Sequence, residues 1–331
     1  MRLRSANSDQ DINLIADRQS PIPFYLPSYL MSIFISPTEH RLRLGWRLLA
    51  HLALLVVLYF SVAIFLGPLQ VIFGLQESYT ALFLFDTIAA LIAITTSVYL
   101  ARHRFDKRSF TSLGLVWSRR AILDLLAGIG ITGLVMGAIY VAEVSLGWLR
   151  FEGFSWQIDK PVAIGGSLLL YLAIYILVGW QEELLIRGYW LQNLSEGLGS
   201  SWGVLLSSWV FAVLHAFNPN SSAVAVFMLV ASGLFLAGGY LRTRQLWLPI
   251  GLHIGWNFFE GPIFGFSVSG TGPFTLIHQA TTGPALLTGG AFGPEAGLIV
   301  LPALALGLAL IYWYTKDRGS AIGPDLLIAV R

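Results

Sequence analysis

The sequence predicts an all-α, polytopic bundle of about eight membrane-spanning helices with both termini cytoplasmic. Three observations predict this fold class: 56% of the 331 residues are hydrophobic, only 11% are charged, and the apolar residues fall in runs of spanning length. A soluble domain carries about 25% charged residues, so most of this chain is unsuited to contact with water. The net charge is only +2, so the protein has no overall positive field that would indicate binding of nucleic acid. The absence of cysteine excludes disulfides and thiolate metal sites.

Eight segments meet the requirement of about 18 to 25 mostly apolar residues for a spanning helix. In chain order they are residues 48–74, 80–100, 122–147, 163–190, 201–217, 223–241, 246–265 and 294–314. They define a transmembrane domain over residues 47–316, followed by a tail at 317–331. Residues 1–46 are predicted to form a cytoplasmic or interfacial arm. Its apolar stretch 24–35 is too short to span, and we expect it to lie on the bilayer surface.

The distribution of basic residues predicts the orientation. Arginine and lysine gather before the first segment, between the second and third, between the sixth and seventh, and after the eighth. The connections around 76–79 and 218–222 contain no basic residue. The positive-inside rule therefore predicts a multi-pass protein of the plasma membrane or another inner membrane, with cytoplasmic N- and C-termini.

The segment 266–293 is rich in glycine, threonine and proline and is too polar to span. It lies between the seventh and eighth segments, on the predicted outer face. Two interpretations are open: a loop or lid that covers the outer end of the bundle, or a linker without structure.

Charged groups inside a membrane are costly unless they are paired or hydrated, so each of them suggests a function. The fourth segment contains Glu182, Glu183 and Arg187. Glu183 and Arg187 stand one helical turn apart, so they share a face and can form an ion pair. Glu182 points about 100° around the helix, and its partner should therefore come from a neighbouring helix.

Two other segments offer polar partners at the same helical spacing. Phe211 and His215 lie one turn apart in the fifth segment, and His253 and Asn257 lie one turn apart in the seventh. A carboxylate, two imidazoles and a carboxamide suit hydrolysis, because the carboxylate can take a proton from water while N–H groups stabilise the oxyanion. The helical rise places His215 deeper than Glu182, which requires the fifth helix to tilt.

Taken together, the three motifs resemble those of a known family. The motifs are Glu182-Glu183-x-x-x-Arg187, Phe211-x-x-x-His215 and His253-x-x-x-Asn257, in this order. They are similar to the motifs of the CAAX prenyl protease and bacteriocin-processing family of membrane peptidases, also called the Abi or CPBP family, which includes the type II CAAX prenyl endopeptidases. The resemblance covers residues 163–260. The family often has phenylalanine before the arginine, where this chain has Ile186.

The resemblance implies a role for each motif residue. Glu182 would activate the hydrolytic water with His215, Glu183 and Arg187 would hold the site electrostatically, and His253 and Asn257 would stabilise the oxyanion. It also implies a peptide substrate, in some members a prenylated CAAX peptide, and contact with membrane lipids.

The family's mechanism is described both with and without a metal, and the sequence leaves both open. A zinc ion held by Glu182, His215 and His253 is chemically reasonable, because catalytic zinc favours three protein ligands and a water molecule. The compact H-E-x-x-H helix of the zincins is absent.

Other interpretations of the same residues remain. A single buried histidine or Glu–Arg pair is more often structural, and the whole cavity could serve a non-catalytic immunity or scaffold protein. A proton-coupled transporter would also use buried charges, although no internal repeat favours it. The remaining charges in the predicted spans are expected to be structural or peripheral. Asp124 and His51 would meet interfacial water, Glu260 would line a cavity mouth or pair with Arg150, and the others are Asp86 and Glu143.

Overall fold

The structure, a computed structural model, describes residues 33–318. The predicted arm up to residue 32, most of the stretch 24–35 and the tail beyond residue 318 lie outside the described residues.

The described chain is an all-α bundle, as the sequence predicts. In chain order its helices, α1 to α10, are Leu44–Ile72, Tyr79–Arg104, Arg119–Ser145, Pro161–Glu183, Leu191–Leu198, Ser200–Leu214, Ala223–Thr243, Trp247–Phe258, Ala285–Thr288 and Val300–Thr315. Two π-helical turns continue α4 and α8, at Leu184–Trp190 and Phe259–Ile263. The strands β1 and β2 are Leu149–Phe154 and Ile277–Thr281.

Six helical segments among residues 33–318 are long and apolar enough to cross a membrane. They are α1, α2, α3, the continuous segment Pro161–Leu198, the segment Ser200–Phe217 and α7. The predicted seventh and eighth segments are shorter than expected: α8 has 12 residues and α10 has 16. The first of these gives way at Phe259 to the π-helical turn that contains Pro262, and a 3₁₀ turn at Pro294–Ala296 precedes the second. These helices make the protein an integral multi-pass membrane protein, whereas its orientation stays a prediction.

The glycine-rich segment 266–293 is neither a spanning helix nor a linker without structure. It contains β2, which pairs antiparallel with β1 from Leu149↔Thr281 to Phe154↔Ile277. A bulge between Phe151 and Gly153 interrupts the register. This two-stranded sheet fixes the segment against the end of the bundle that lies away from the basic connections.

Glu196, at the end of α5, joins the basic connections at the other end, which we call the basic face. Its carboxylate accepts hydrogen bonds from Arg41 (3.0 Å) and Arg47 (3.3 Å) and forms an ion pair with Arg108. Arg47 and Asp106 are also buried, with 3.5 Å between Nη1 and Oδ1. These contacts tie the start of α1 and the end of α2 to α5.

Two charged or titratable residues that we expected at hydrated interfaces are buried instead. Asp124 is paired with Arg318 and accepts a hydrogen bond from the Tyr314 hydroxyl at 2.8 Å. His51 is fully buried, with its ring centroid 4.3 Å from that of Tyr189. Asp124 is satisfied by residues at and after the end of α10, so water is not required to hydrate it. The Nε2 of His51 lies 3.4 Å from the Ser97 hydroxyl of α2, whereas its buried Nδ1 has no hydrogen-bond partner among residues 33–318.

The helices α3 and α8 approach each other closely because glycines lie where they cross. A Cβ on Gly251 would overlap the backbone carbonyl of Leu125, and a Cβ on Gly255 would lie 2.7 Å from the Cα of Ile129. Gly128 faces them from α3, where a Cβ would lie 2.5 Å from the backbone nitrogen of Leu252. Small residues at four-residue spacing let helices touch in this way in membranes. The contact sets the position of α8, which carries His253.

We expect Gly251→Ala and Gly255→Ala to lower the thermal stability of the detergent-purified protein. Overpacking costs about 1–3 kcal/mol, which exceeds the roughly 0.5–1 kcal/mol that alanine gains over glycine in a helix. Gly130→Ala is the matched control, because nothing lies within 4 Å of a Cβ at that position of α3. Thermal unfolding should rank both test variants below the parent and the control at or above it. Equal midpoints for all variants would show that the α3–α8 contact can relax.

Candidate active site

A cavity of about 630 Å³ lies inside the bundle and contains the predicted polar residues. Its lining includes Glu182, His215, His253 and Asn257, which come from three different helical segments. The opposite wall is mainly apolar and comes from α1 and α2. The structure therefore brings these four side chains to one cavity.

The two adjacent glutamates of α4 have different surroundings. Glu183 is fully buried, whereas 27% of the Glu182 side chain is exposed, towards the cavity. The α-helix gives way to the π-helical turn Leu184–Trp190 directly after Glu183. Such turns are rare in proteins as a whole, but many of those known lie at functional sites, where they redirect side chains within a continuing helix.

Glu183 is the centre of a buried network. Its Oε1 accepts a hydrogen bond from Arg187 Nη1 at 2.8 Å and another from His253 Nδ1 at 2.8 Å. The Arg187 guanidinium also donates to the carbonyl of Gly233 at 3.1 Å and lies 4.6 Å from the centroid of the Phe211 ring. The predicted ion pair therefore forms. Its Glu183 also binds His253 of α8, a contact that local spacing in the sequence does not indicate.

The hydrogen bonds of both histidines orient their Nε2 atoms towards Glu182. Because a carboxylate and a carbonyl only accept, His253 Nδ1 donates to Glu183, and His215 Nδ1 donates to the carbonyl of Phe211 at 2.8 Å. The Nε2 atoms then lie 3.7 Å (His215) and 3.8 Å (His253) from Glu182 Oε2. Three groups that can accept a proton surround one point in the cavity.

His215 reaches the depth of Glu182 because the preceding helix is longer than predicted. The fourth segment was expected to end at residue 190, but the helical chain continues to Leu198 and turns at Gly199, which has φ 89°. Glu182 and His215 consequently stand nearly the same number of residues from this turn, one on each side. His215 follows the last residue of α6, where its ring also satisfies the Phe211 carbonyl at the helix end.

Two polar residues near the cavity were not among the predicted site residues. Glu295, in the 3₁₀ turn before α10, is buried, lines the cavity and accepts a hydrogen bond from Ser269 at 2.5 Å. Ser269 belongs to the segment 266–293, whose folding over the cavity could not be inferred from its composition. Glu295 lies at the start of the predicted eighth span, and a charged residue at that position was the signal in the sequence that could have identified it.

Glu260 does not have the partner that we considered for it. It is fully buried, whereas the exposed Arg150 pairs with Glu152 at 2.7 Å on β1. Glu260 is therefore an internal residue of the π-helical turn after α8 and does not form part of an ion pair with Arg150.

The zinc site considered for Glu182, His215 and His253 stays a prediction. Within residues 33–318, no group of three or more His, Cys, Asp or Glu has the arrangement needed to hold a metal ion. The two Nε2 atoms lie 3.7 and 3.8 Å from Glu182 Oε2, which is longer than a hydrogen bond.

A family comparison supports the motif analysis. Residues 164–259 match the family model described as Rce1-like, type II CAAX prenyl endopeptidase Rce1-like. No curated protein matches the chain. The matched segment contains all six predicted site residues, Glu182, Glu183, Arg187, His215, His253 and Asn257. Over residues 164–259 the chain is therefore similar to the type II CAAX prenyl endopeptidase Rce1-like family, in agreement with the resemblance of the three motifs.

Proposed function

We propose that this protein is an intramembrane endopeptidase that hydrolyses a membrane-associated peptide, with prenylated CAAX-type peptides among the candidates. One observation carries the proposal: the Glu182 carboxylate faces two oriented imidazoles inside a cavity of about 630 Å³. The family match and the apolar helices support the peptidase class, while substrate and mechanism are part of the proposal.

In the proposed mechanism a water molecule contacts both Glu182 Oε2 and His215 Nε2 from one side of the pair, because the 3.7 Å between these atoms is too short for a water molecule on the line that joins them. Glu182 takes one proton from this water, and the oxygen attacks the carbonyl carbon of the peptide bond. Asn257 and protonated His253 donate hydrogen bonds to the oxyanion that forms. The C–N bond then breaks as Glu182 returns its proton to the leaving amine, which completes the hydrolysis.

The two glutamates have different tasks in this proposal. Glu182 is partly exposed and exchanges protons with water, whereas Glu183 is a positioning residue. It fixes the orientation of His253 and stabilises its protonated form, in the way that carboxylates orient catalytic imidazoles elsewhere. Arg187 balances the charge of Glu183, and both side chains are fully buried.

Glu182→Gln should reduce peptide cleavage by at least about a hundredfold, because the general base is removed. The variant should keep the thermal stability of the parent, since this side chain is partly exposed and its contacts with the two histidines, at 3.7 and 3.8 Å, are longer than hydrogen bonds. Cleavage is measured by mass spectrometry on purified protein in lipid nanodiscs, and Glu152→Gln on the exposed hairpin is the control. Retained cleavage by Glu182→Gln would reject the mechanism and favour a non-catalytic role for the cavity.

Glu183→Gln should reduce stability as well as activity, because it leaves the Arg187 charge buried without a countercharge. Breaking a buried pair costs about 3–5 kcal/mol. The double variant Glu183→Gln/Arg187→Met removes both charges, so its unfolding midpoint should recover towards that of the parent, without recovery of cleavage. A double variant that is as unstable as Glu183→Gln would show that the charge balance does not stabilise the site.

Peptide cleavage should survive removal of divalent metals. The proposed steps use only the side chains of this chain, so dialysis against a chelator should leave the rate unchanged, and added zinc should not raise it. The metal content of the same sample is measured by mass spectrometry. A loss of cleavage that zinc restores would instead identify Glu182, His215 and His253 as metal ligands.

A further inference from the structure

The cavity carries an excess of negative charge. Its lining includes three carboxylates, Asp86, Glu182 and Glu295, and no lysine or arginine among the described residues. Its histidines, His215 and His253, belong to the proposed catalytic group. Charges of one sign in a cleft with apolar walls concentrate ligands of the opposite sign and exclude ligands of the same sign.

Asp86 is the carboxylate in this set that is free to meet a ligand. Glu182 is assigned to catalysis, and Glu295 is buried and accepts a hydrogen bond from Ser269. Asp86 is exposed within α2, and the bond it makes is with the Tyr59 hydroxyl of α1. A neutral hydroxyl does not balance a carboxylate charge in a spanning helix, so a cation at this position would be stabilised.

The helix contacts give the distance of Asp86 from the catalytic group. Trp180 Nε1 donates to Thr95 Oγ1 at 3.1 Å, and the hydroxyls of Thr80 and Tyr171 lie 3.1 Å apart. The helices α2 and α4 therefore run in the same direction, and Asp86 lies between these two contacts. At 1.5 Å per residue, the Thr80–Tyr171 contact places Asp86 about 8 Å along the axis from Glu182, and the Thr95–Trp180 contact places it about 17 Å away, which gives a mean distance of about 12 Å. An extended peptide spans this distance with about four residues.

We propose that Asp86 selects substrates, favouring peptides that carry a lysine or arginine about four residues from the scissile bond. This inference rests on the proposed function and specifies its substrate class. A cationic side chain would reach Asp86 while the scissile carbonyl lies against Asn257 and His253. A glutamate at the same peptide position would be repelled by the cavity.

The test separates substrate selection from catalysis. Short acylated peptides that carry lysine, glutamine or glutamate at successive positions are titrated into Glu182→Gln protein in nanodiscs, and binding is followed by fluorescence. At one position, about four residues from the scissile bond, the lysine peptide should bind about tenfold more tightly than the glutamine peptide. This preference lies between the contribution of an exposed ion pair and that of a buried one. Glutamate should bind more weakly than glutamine there.

Variants of Asp86 identify the source of this preference. Adding Asp86→Asn keeps an acceptor for the Tyr59 hydroxyl but removes the charge, so the lysine-to-glutamine ratio should fall to about one. Adding Asp86→Glu should restore the ratio. Asp159→Asn, an exposed carboxylate on the connection between β1 and α4, is the matched control and should leave both binding and the ratio unchanged.

Two results would overturn the inference: an equal affinity for lysine and glutamine peptides in the presence of Asp86, or a preference that persists in Asp86→Asn. Cleavage of the glutamine peptide by the parent protein is measured separately. If that peptide is not cleaved but the lysine preference depends on Asp86, the proposed hydrolysis fails while the cation site stands. If it is cleaved without any preference, only the role of Asp86 is rejected.

Discussion

The buried ion pair between Glu183 and Arg187 is the interaction on which the rest of the site depends. Both side chains are fully buried, where neither charge would be stable alone. Through it, the π-helical turn after α4 is bound to His253 of α8, to the Gly233 carbonyl of α7 and to the Phe211 ring of α6. Four helical segments thus converge on one pair of charges. The position of His253 follows from this electrostatic network together with the close glycine contact between α3 and α8.

Much of the fold and of the site could be predicted from local patterns. Runs of apolar residues gave the spanning helices, and the spacing of Glu183 with Arg187 gave their ion pair. The polar segment 191–198 was the main error in the helix boundaries, because a hydropathy criterion ends a span where polar residues begin. In the structure those residues continue the helix, and Glu196 binds the arginines of the basic face.

Contacts between distant parts of the chain could not be predicted. The bond from His253 to Glu183 joins residues 70 positions apart, and no local spacing indicates it. The same is true of the pairing of β1 with β2, which gives structure to a segment that is otherwise rich in turn residues. The π-helical turn Leu184–Trp190 could not be predicted either, because its residues, apart from Gly188, are equally compatible with an α-helix.

The two sides of the cavity differ in how they are packed. The buried residues of α1, Arg47 and His51, both lie near the basic face, and most of its remaining surface is turned outwards. At its other end α1 is joined to α2 by the short connection 73–78, and between the two ends the Tyr59 hydroxyl donates to Asp86 of α2. The outward surface of α1 is therefore the part of the cavity wall that acyl chains would cover, whereas Glu183 and His253, on the side of Glu182, are buried among the other helices.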